Sequence, residues 1–224
     1  MKYQLLILAA PEMNDSSKRF SRTKYESAIK RQNSLFSSPH FVLAAIRQKL
    51  LPVGETIDLG NSIITIDIQR KTQGALATVG LCLDYLNVDD PIVITPFDGN
   101  LEISMDSFLD EMLTSNSDIG IVAFKSSNPN YSFVRIASGE VIEIAEKKVI
   151  SGLATSGTFF FKNKLVLLRC IEWALVNNVQ TASKFFIAPS INAVIMNRAK
   201  IGIFEISEDN YNRLDLESLW EKNE

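Results

Sequence analysis

The chain has little of what most metal and nucleophile chemistry is built from. Its 224 residues include one histidine, His40, and two cysteines, Cys82 and Cys170. A lone histidine has no second imidazole for a zinc cluster and gives little support to a Ser-His-Asp arrangement, so it reads as structural. Two cysteines in apolar, helix-like surroundings read as buried thiols, neither a disulfide framework nor a metal site. An excess of basic charge is missing too. With 23 basic and 26 acidic residues the formal charge is −3, and no long basic run occurs, which argues against a nucleic-acid partner. No apolar run approaches the length of a membrane span. The run from Leu5 to Ala10 is short for a secretory core and continues into an acidic stretch, so the cytoplasm is the expected compartment. Glycine is scarce and badly distributed for phosphate chemistry: there are ten, and none precedes Gly54.

What is present is an alternation of buried strands and amphipathic segments. "YQLLILAAP" (3–11) is a continuous apolar run, as expected of a central parallel strand. Residues 38–50, "SPHFVLAAIRQKL", read as a helix with Ser38 as N-cap and Pro39 in its first turn. Strands are expected over 62–68 and 118–124, a buried strand running into a loop over 91–100, and helices over 73–87 and 104–116. "YSFVRIASGEVIEIAEK" reads as a hairpin turning at Ser138-Gly139, followed by a strand through "ATSGTFFFK". Helices at about 163–177 and 188–197, a strand in "AKIGIFEI" and a terminal helix in "LDLESLWEKN" complete the chain. The pattern predicts one α/β domain over 1–224. It is a Rossmann-like, doubly wound mixed sheet with a small antiparallel insertion.

Several residues could carry chemistry. Asp98 follows the strand through Thr95, at the end of an open sheet where ligands bind, and a carboxylate there can hold magnesium. Taken alone, Asp98-Gly99 reads more readily as a turn that caps the strand. Gln73 and Gly74 open a helix, where backbone N–H groups and a side-chain amide could meet a base or phosphate, or could simply start the helix. Residues 16–31 carry Lys18, Arg19, Arg22, Lys24, Lys30 and Arg31, either a triphosphate-facing set or a solvated basic loop. Glu146-Lys147 and Gly157 sit between two strands, as hairpin edges or as a pocket wall.

The order of "KTQGALATVGLCLDYLNVDDPIVITPFDGN", "VIEIAEKKVISGLATSGTFFFK" and "KFFIAPSINAVIMNRAKIGIFEI" resembles the sugar-phosphate nucleotidyltransferases over about residues 70–206. The likeness is to the short forms found among bacterial surface-polysaccharide genes. It implies transfer of a nucleotidyl group from an NTP to a sugar phosphate with release of pyrophosphate, assisted by Mg2+. In that family's arrangement Gln73 and Gly74 would contact the nucleobase, and Asp98 would hold the metal, with Asp215 as a remnant second ligand. Glu146, Lys147, Gly157 and Asn192 would meet the sugar phosphate, and Arg19 and Lys24 the triphosphate. Self-association is left open. The chain departs from the family at two places. The family has a Gly-x-Gly-Ser/Thr-Arg loop after its first strand, where this chain has "AAPEMNDSSKRF". Pro11 lacks the N–H a phosphate cradle needs, and Glu12 would repel the anion. The terminal "NRLDLESLW" keeps only the outline of the family's last motif. Two alternatives follow: a degenerate binder or interaction protein of the same fold, and a glycosyltransferase using Asp98 but without an Asp-x-Asp.

Overall fold

The computed structural model describes residues 2–11, 19–37 and 39–220. Its elements in chain order are β1 (Gln4–Ala9), α1 (Arg22–Ser34), β2 (Phe41–Ile46), β3 (Ile64–Asp67), α2 (Ala75–Cys82), β4 (Ile92–Pro96), β5 (Gly99–Leu101) and α3 (Asp106–Thr114). There follow β6 (Ile119–Lys125), β7 (Ser132–Ala137), β8 (Glu140–Glu146), β9 (Leu153–Phe161), α4 (Lys164–Val176), α5 (Ile187–Ser190), α6 (Asn192–Ile195), β10 (Ile201–Ile206) and β11 (Tyr211–Arg213).

The main sheet runs β10-β6-β9-β4-β1-β2-β3. Strand β1 pairs parallel with β2 and β4, and β6 pairs parallel with β10. Along this path of described strands, β9 alone runs against its neighbours, β4 and β6. Both faces of β1 are buried, which is why it reads as an unbroken apolar run. Leu5, Ile7 and Ala9 pack into one layer with Tyr25 and Ile29 of α1 and Phe108 and Met112 of α3. Leu6 packs into the other, with Val79 of α2 and Leu167 and Ile171 of α4. Helices on both faces of a mostly parallel sheet make the mixed, doubly wound fold expected from the sequence. The antiparallel insertion is there too: β7 and β8 turn at Ser138 and Gly139, with φ of 52° and 81°, the two positive values a tight hairpin turn needs. Cys82 and Cys170 are free, buried thiols, and burial pushes their pKa values up to about 11 and about 12.

Three local expectations are corrected. Residues 38–50 are not a helix: Phe41–Ile46 is strand β2, five of its six residues buried, and only Gln48–Leu50 forms a helical turn, of 3-10 type. The Ser38 cap lies outside the described residues. The basic stretch 16–31 is not a loop throughout, because α1 begins at Arg22, while Lys18 lies outside the described residues. Of the terminal helix, the described residues form a 3-10 turn, Leu216–Leu219, in which Leu219 is buried and Leu216 partly so.

Strands β1 to β3 extend to one side, and β4 returns to the other side of β1. The carboxyl ends of β1 and β4 therefore bound a topological switch point, the place where open α/β sheets bind ligands.

Candidate functional site

A cavity of about 360 Å³ opens at that switch point. Leu8, Ala10 and Pro11 line it from the end of β1, and Pro96, Phe97 and Asp98 from the end of β4. Gly74 lines it from the start of α2, Glu146 and Lys147 from the end of β8, Gly157 from β9, and Tyr211 and Arg213 from β11. Five residues singled out in the sequence (Gly74, Asp98, Glu146, Lys147 and Gly157) thus meet in one place, although they span the chain from 74 to 157.

Each is held there by local geometry. Strand β9 uses residues 156–158 where β6 uses one residue, because Ile121 opposes Phe159 and Ala123 opposes Thr155. Gly157 occupies the middle of this bulge at φ +85°, and an added Cβ would lie 3.2 Å from Pro96 Cγ. Lys147 has the left-handed φ of 53°, unusual for a lysine, and its Nζ lies 5.5 Å from the Phe186 ring centroid. Glu146 accepts a hydrogen bond from Ser132 Oγ. Burial raises its pKa above the usual carboxylate value, and the Ser132 bond, Lys147 and Arg213 only partly offset that.

Asp98 is 5% exposed. The loop bearing it is propped from below by the buried Gln32 of α1, which donates to Gly99 O and accepts from Thr95 Oγ1. It is latched from above by β11. Leu214 N–H donates to Asp98 O at 2.7 Å, and Arg213 Nε donates to Asp98 Oδ2 at 2.8 Å. Burial works against the Arg213 charge, but the Asp98 carboxylate outweighs it and holds the guanidinium pKa above its ordinary value. Tyr211 anchors the same strand by donating to Ser156 O at 2.9 Å, and burial raises its pKa, keeping it a neutral donor.

The other expected residues sit elsewhere. Gln73 is exposed, and its backbone oxygen accepts from Phe185 N at 2.7 Å. Asn192 ties α6 to β8: its side chain accepts from Ile144 N at 3.0 Å and donates to Ile144 O and Pro189 O. Lys24 Nζ donates to Ser218 O at 2.7 Å. Asp215 accepts from Glu217 N, capping the last turn. Arg19 is half-buried beside Phe20, which bridges to Trp220. None of these five is among the described residues lining the cavity. Glu12 lies outside the described residues, while Pro11 stands at the cavity wall.

The donor set fits a magnesium ion poorly. The Asp98 carboxylate is already engaged by a guanidinium, and the other lining carboxylate, Glu146, is biased by burial toward its neutral form. Among the described residues no group of three His, Cys, Asp or Glu side chains stands together. What the wall offers instead is positive: Lys147, Lys184 and Arg213 against Asp98 and Glu146. Arg213 and Tyr211 were not singled out from the sequence. Their one signal was the altered last motif, since nothing local marks an arginine that meets a carboxylate 115 residues away.

No protein-family model matches the chain, and no curated protein sequence does. Solved structures do. A nucleoside-diphosphate-sugar pyrophosphorylase from Vibrio cholerae RC9 superposes with a TM-score of 0.64 at 17% identity, covering 93% of this chain and 94% of that one. A protein assigned as a glucose-1-phosphate thymidylyltransferase from Bacillus anthracis, solved with sucrose, gives 0.66 at 15% identity, covering 92% and 87%. The inositol-1-phosphate CTP transferase from T. maritima gives 0.62 at 14%, covering 95% and 89%. At such identities the likeness establishes the fold, and that fold is the one these sugar-phosphate nucleotidyltransferases share. No helix among the described residues is long and apolar enough to cross a membrane.

Proposed function

We propose that the chain handles a nucleotide and a sugar phosphate in the switch-point cavity, transferring a nucleotidyl group between them. The observation that carries this reading is the convergence of Gly74, Asp98, Glu146, Lys147 and Gly157 on one wall. The sugar would lie against the bare backbone at Gly157, with Lys147 facing its phosphate and Glu146 and Ser132 offering hydrogen bonds to hydroxyls. The nucleotide would occupy the side formed by Leu8, Ala10, Pro11 and Gly74. An oxygen of the sugar phosphate would attack the α-phosphorus of the NTP. The bond from that phosphorus to the bridging oxygen would break, and pyrophosphate would leave with the electron pair. Such chemistry asks the protein mainly for alignment and charge, which Lys147 and Arg213 can supply. The product would be a nucleotide sugar of the kind used for surface polysaccharides.

A second reading is favoured by one observation. Asp98 is paired with Arg213, and Pro11 stands where a glycine loop would cradle a triphosphate. Together these suit a protein that binds the phosphorylated ligand without turning it over. Pyrophosphate release separates the two. It is measured with each ribonucleoside triphosphate and deoxythymidine triphosphate against a panel of sugar 1-phosphates. Release with one pair is the expected result for the transferase. Saturable binding without release would replace it with the binder, and the absence of both would remove the site.

A further inference from the structure

We infer that Arg213 is the built-in cation of this pocket: it occupies the place beside Asp98 that a metal ion would need, so a phosphate group is bound there without a divalent ion. The inference rests on the reading of the cavity as a phosphate site and specifies how that site works.

The two partners are unequal in a telling way. The Asp98 side chain is 7% exposed, whereas the Arg213 side chain is 56% exposed. The carboxylate is therefore spent inside the protein, and the guanidinium carries its outer edge into the cavity. Asp98 is its only hydrogen-bond partner among the described residues, and it engages Nε alone. Both terminal nitrogens remain to form the paired donors that suit a phosphate. The placement is not that of a surface side chain that happened to swing in. Strand β11 pairs with β5, setting Arg213 opposite Gly99, and the Leu214–Asp98 and Tyr211–Ser156 hydrogen bonds fix the strand on both sides of it.

A divalent ion at Asp98 would have to displace the guanidinium or sit beside it. In the first case the buried carboxylate loses its partner, and in the second two cations share one carboxylate. Lys147 lines the same cavity and adds a second positive group. A phosphomonoester or diphosphate of a small sugar or nucleoside meets these charges directly.

The test is titration calorimetry of the whole chain with UDP, CDP, GDP, ADP, dTDP, glucose 1-phosphate and inorganic pyrophosphate. Each is run once in EDTA and once in magnesium. The expected result is binding of at least one probe with affinities that agree within about twofold in the two buffers. Replacing Arg213 by Gln, which keeps a donor for Asp98 but not the charge, is expected to weaken binding in EDTA at least about tenfold, the loss of one charge-assisted contact. Arg213→Lys is expected to recover part of it. A nucleotide that binds while glucose 1-phosphate does not, or the reverse, identifies the source of the phosphate. Binding that requires magnesium would overturn this inference and leave the proposed site standing. Silence from all probes in both buffers would overturn both.

Discussion

Replacing Gly74 by alanine separates two accounts of why a glycine opens α2. If the glycine is there for a nucleobase, Gly74→Ala should weaken ligand binding and leave the fold alone. The geometry says otherwise. Gly74 has φ +103° and ψ 175°, a region closed to other residues, and an added Cβ would lie 2.3 Å from the backbone oxygen of Phe185 and 2.9 Å from its nitrogen. That segment cannot retreat freely, because Leu76 N donates to Phe185 O at 3.1 Å and Phe185 N donates to Gln73 O at 2.7 Å. The backbone strain costs about 1–3 kcal/mol and each lost hydrogen bond about 0.5–1.5 kcal/mol, so the expected destabilisation is about 2–6 kcal/mol. In a chain of this size 1 kcal/mol moves the melting midpoint by about 2–4 °C, so a fall of at least about 4 °C follows. Thermal and urea unfolding of the variant measure it. A midpoint within about 1 °C of the parent would refute the packing account.

Two other outcomes are expected. Because burial lifts the Glu146 pKa above its ordinary value of 4.5, the folded chain keeps a proton there that the unfolded chain has lost. The stability this contributes is complete below the ordinary value and fades as pH rises through the raised one, so Glu146→Gln should gain stability relative to the parent with rising pH. A difference in unfolding midpoint that stays flat between about pH 4 and 8 would contradict it. Asn192→Ala removes a brace with three backbone partners and should cost about 1–3 kcal/mol, with faster amide exchange at Ile144. Weakened ligand binding with exchange unchanged would return Asn192 to the sugar-phosphate site.

How much of this was legible depended on whether the controlling contact was local. The hairpin at Ser138-Gly139, the run at 91–96 and the three phenylalanines of β9 read correctly because alternation, turn chemistry and burial on both faces leave marks in adjacent residues. Strand β2 did not. A short buried run such as "FVLAAI" has no period that tells strand from helix, and Ser38-Pro39 imitates a helix start. Helix α1 carries its buried positions at 25, 28, 29 and 32, the helical spacing, but the last is Gln32 and its surroundings are charged, so the stripe is faint. In the site, Gly74, Asp98, Glu146, Lys147 and Gly157 line the cavity from strand ends and turns, whereas Asn192 and Lys24 bond to backbone groups of other segments and Asp215 caps its own turn. Arg213 was invisible for the opposite reason: its meaning lies entirely in a partner far upstream.

That separation also has a consequence in time. Asp98 and Arg213 stand 115 residues apart, which at 5–20 residues per second is roughly 6 to 23 s of synthesis. Throughout that interval the nascent chain holds a carboxylate destined for burial with no countercharge. Strand β9, which must slide in antiparallel between β4 and β6, is itself made only midway through the wait. The switch-point cleft therefore cannot close on its final charge pattern as the sheet grows. It is completed last, when β11, made directly after the edge strand β10, folds back over the Asp98 loop, so the site gains its countercharge only once the whole sheet has been made.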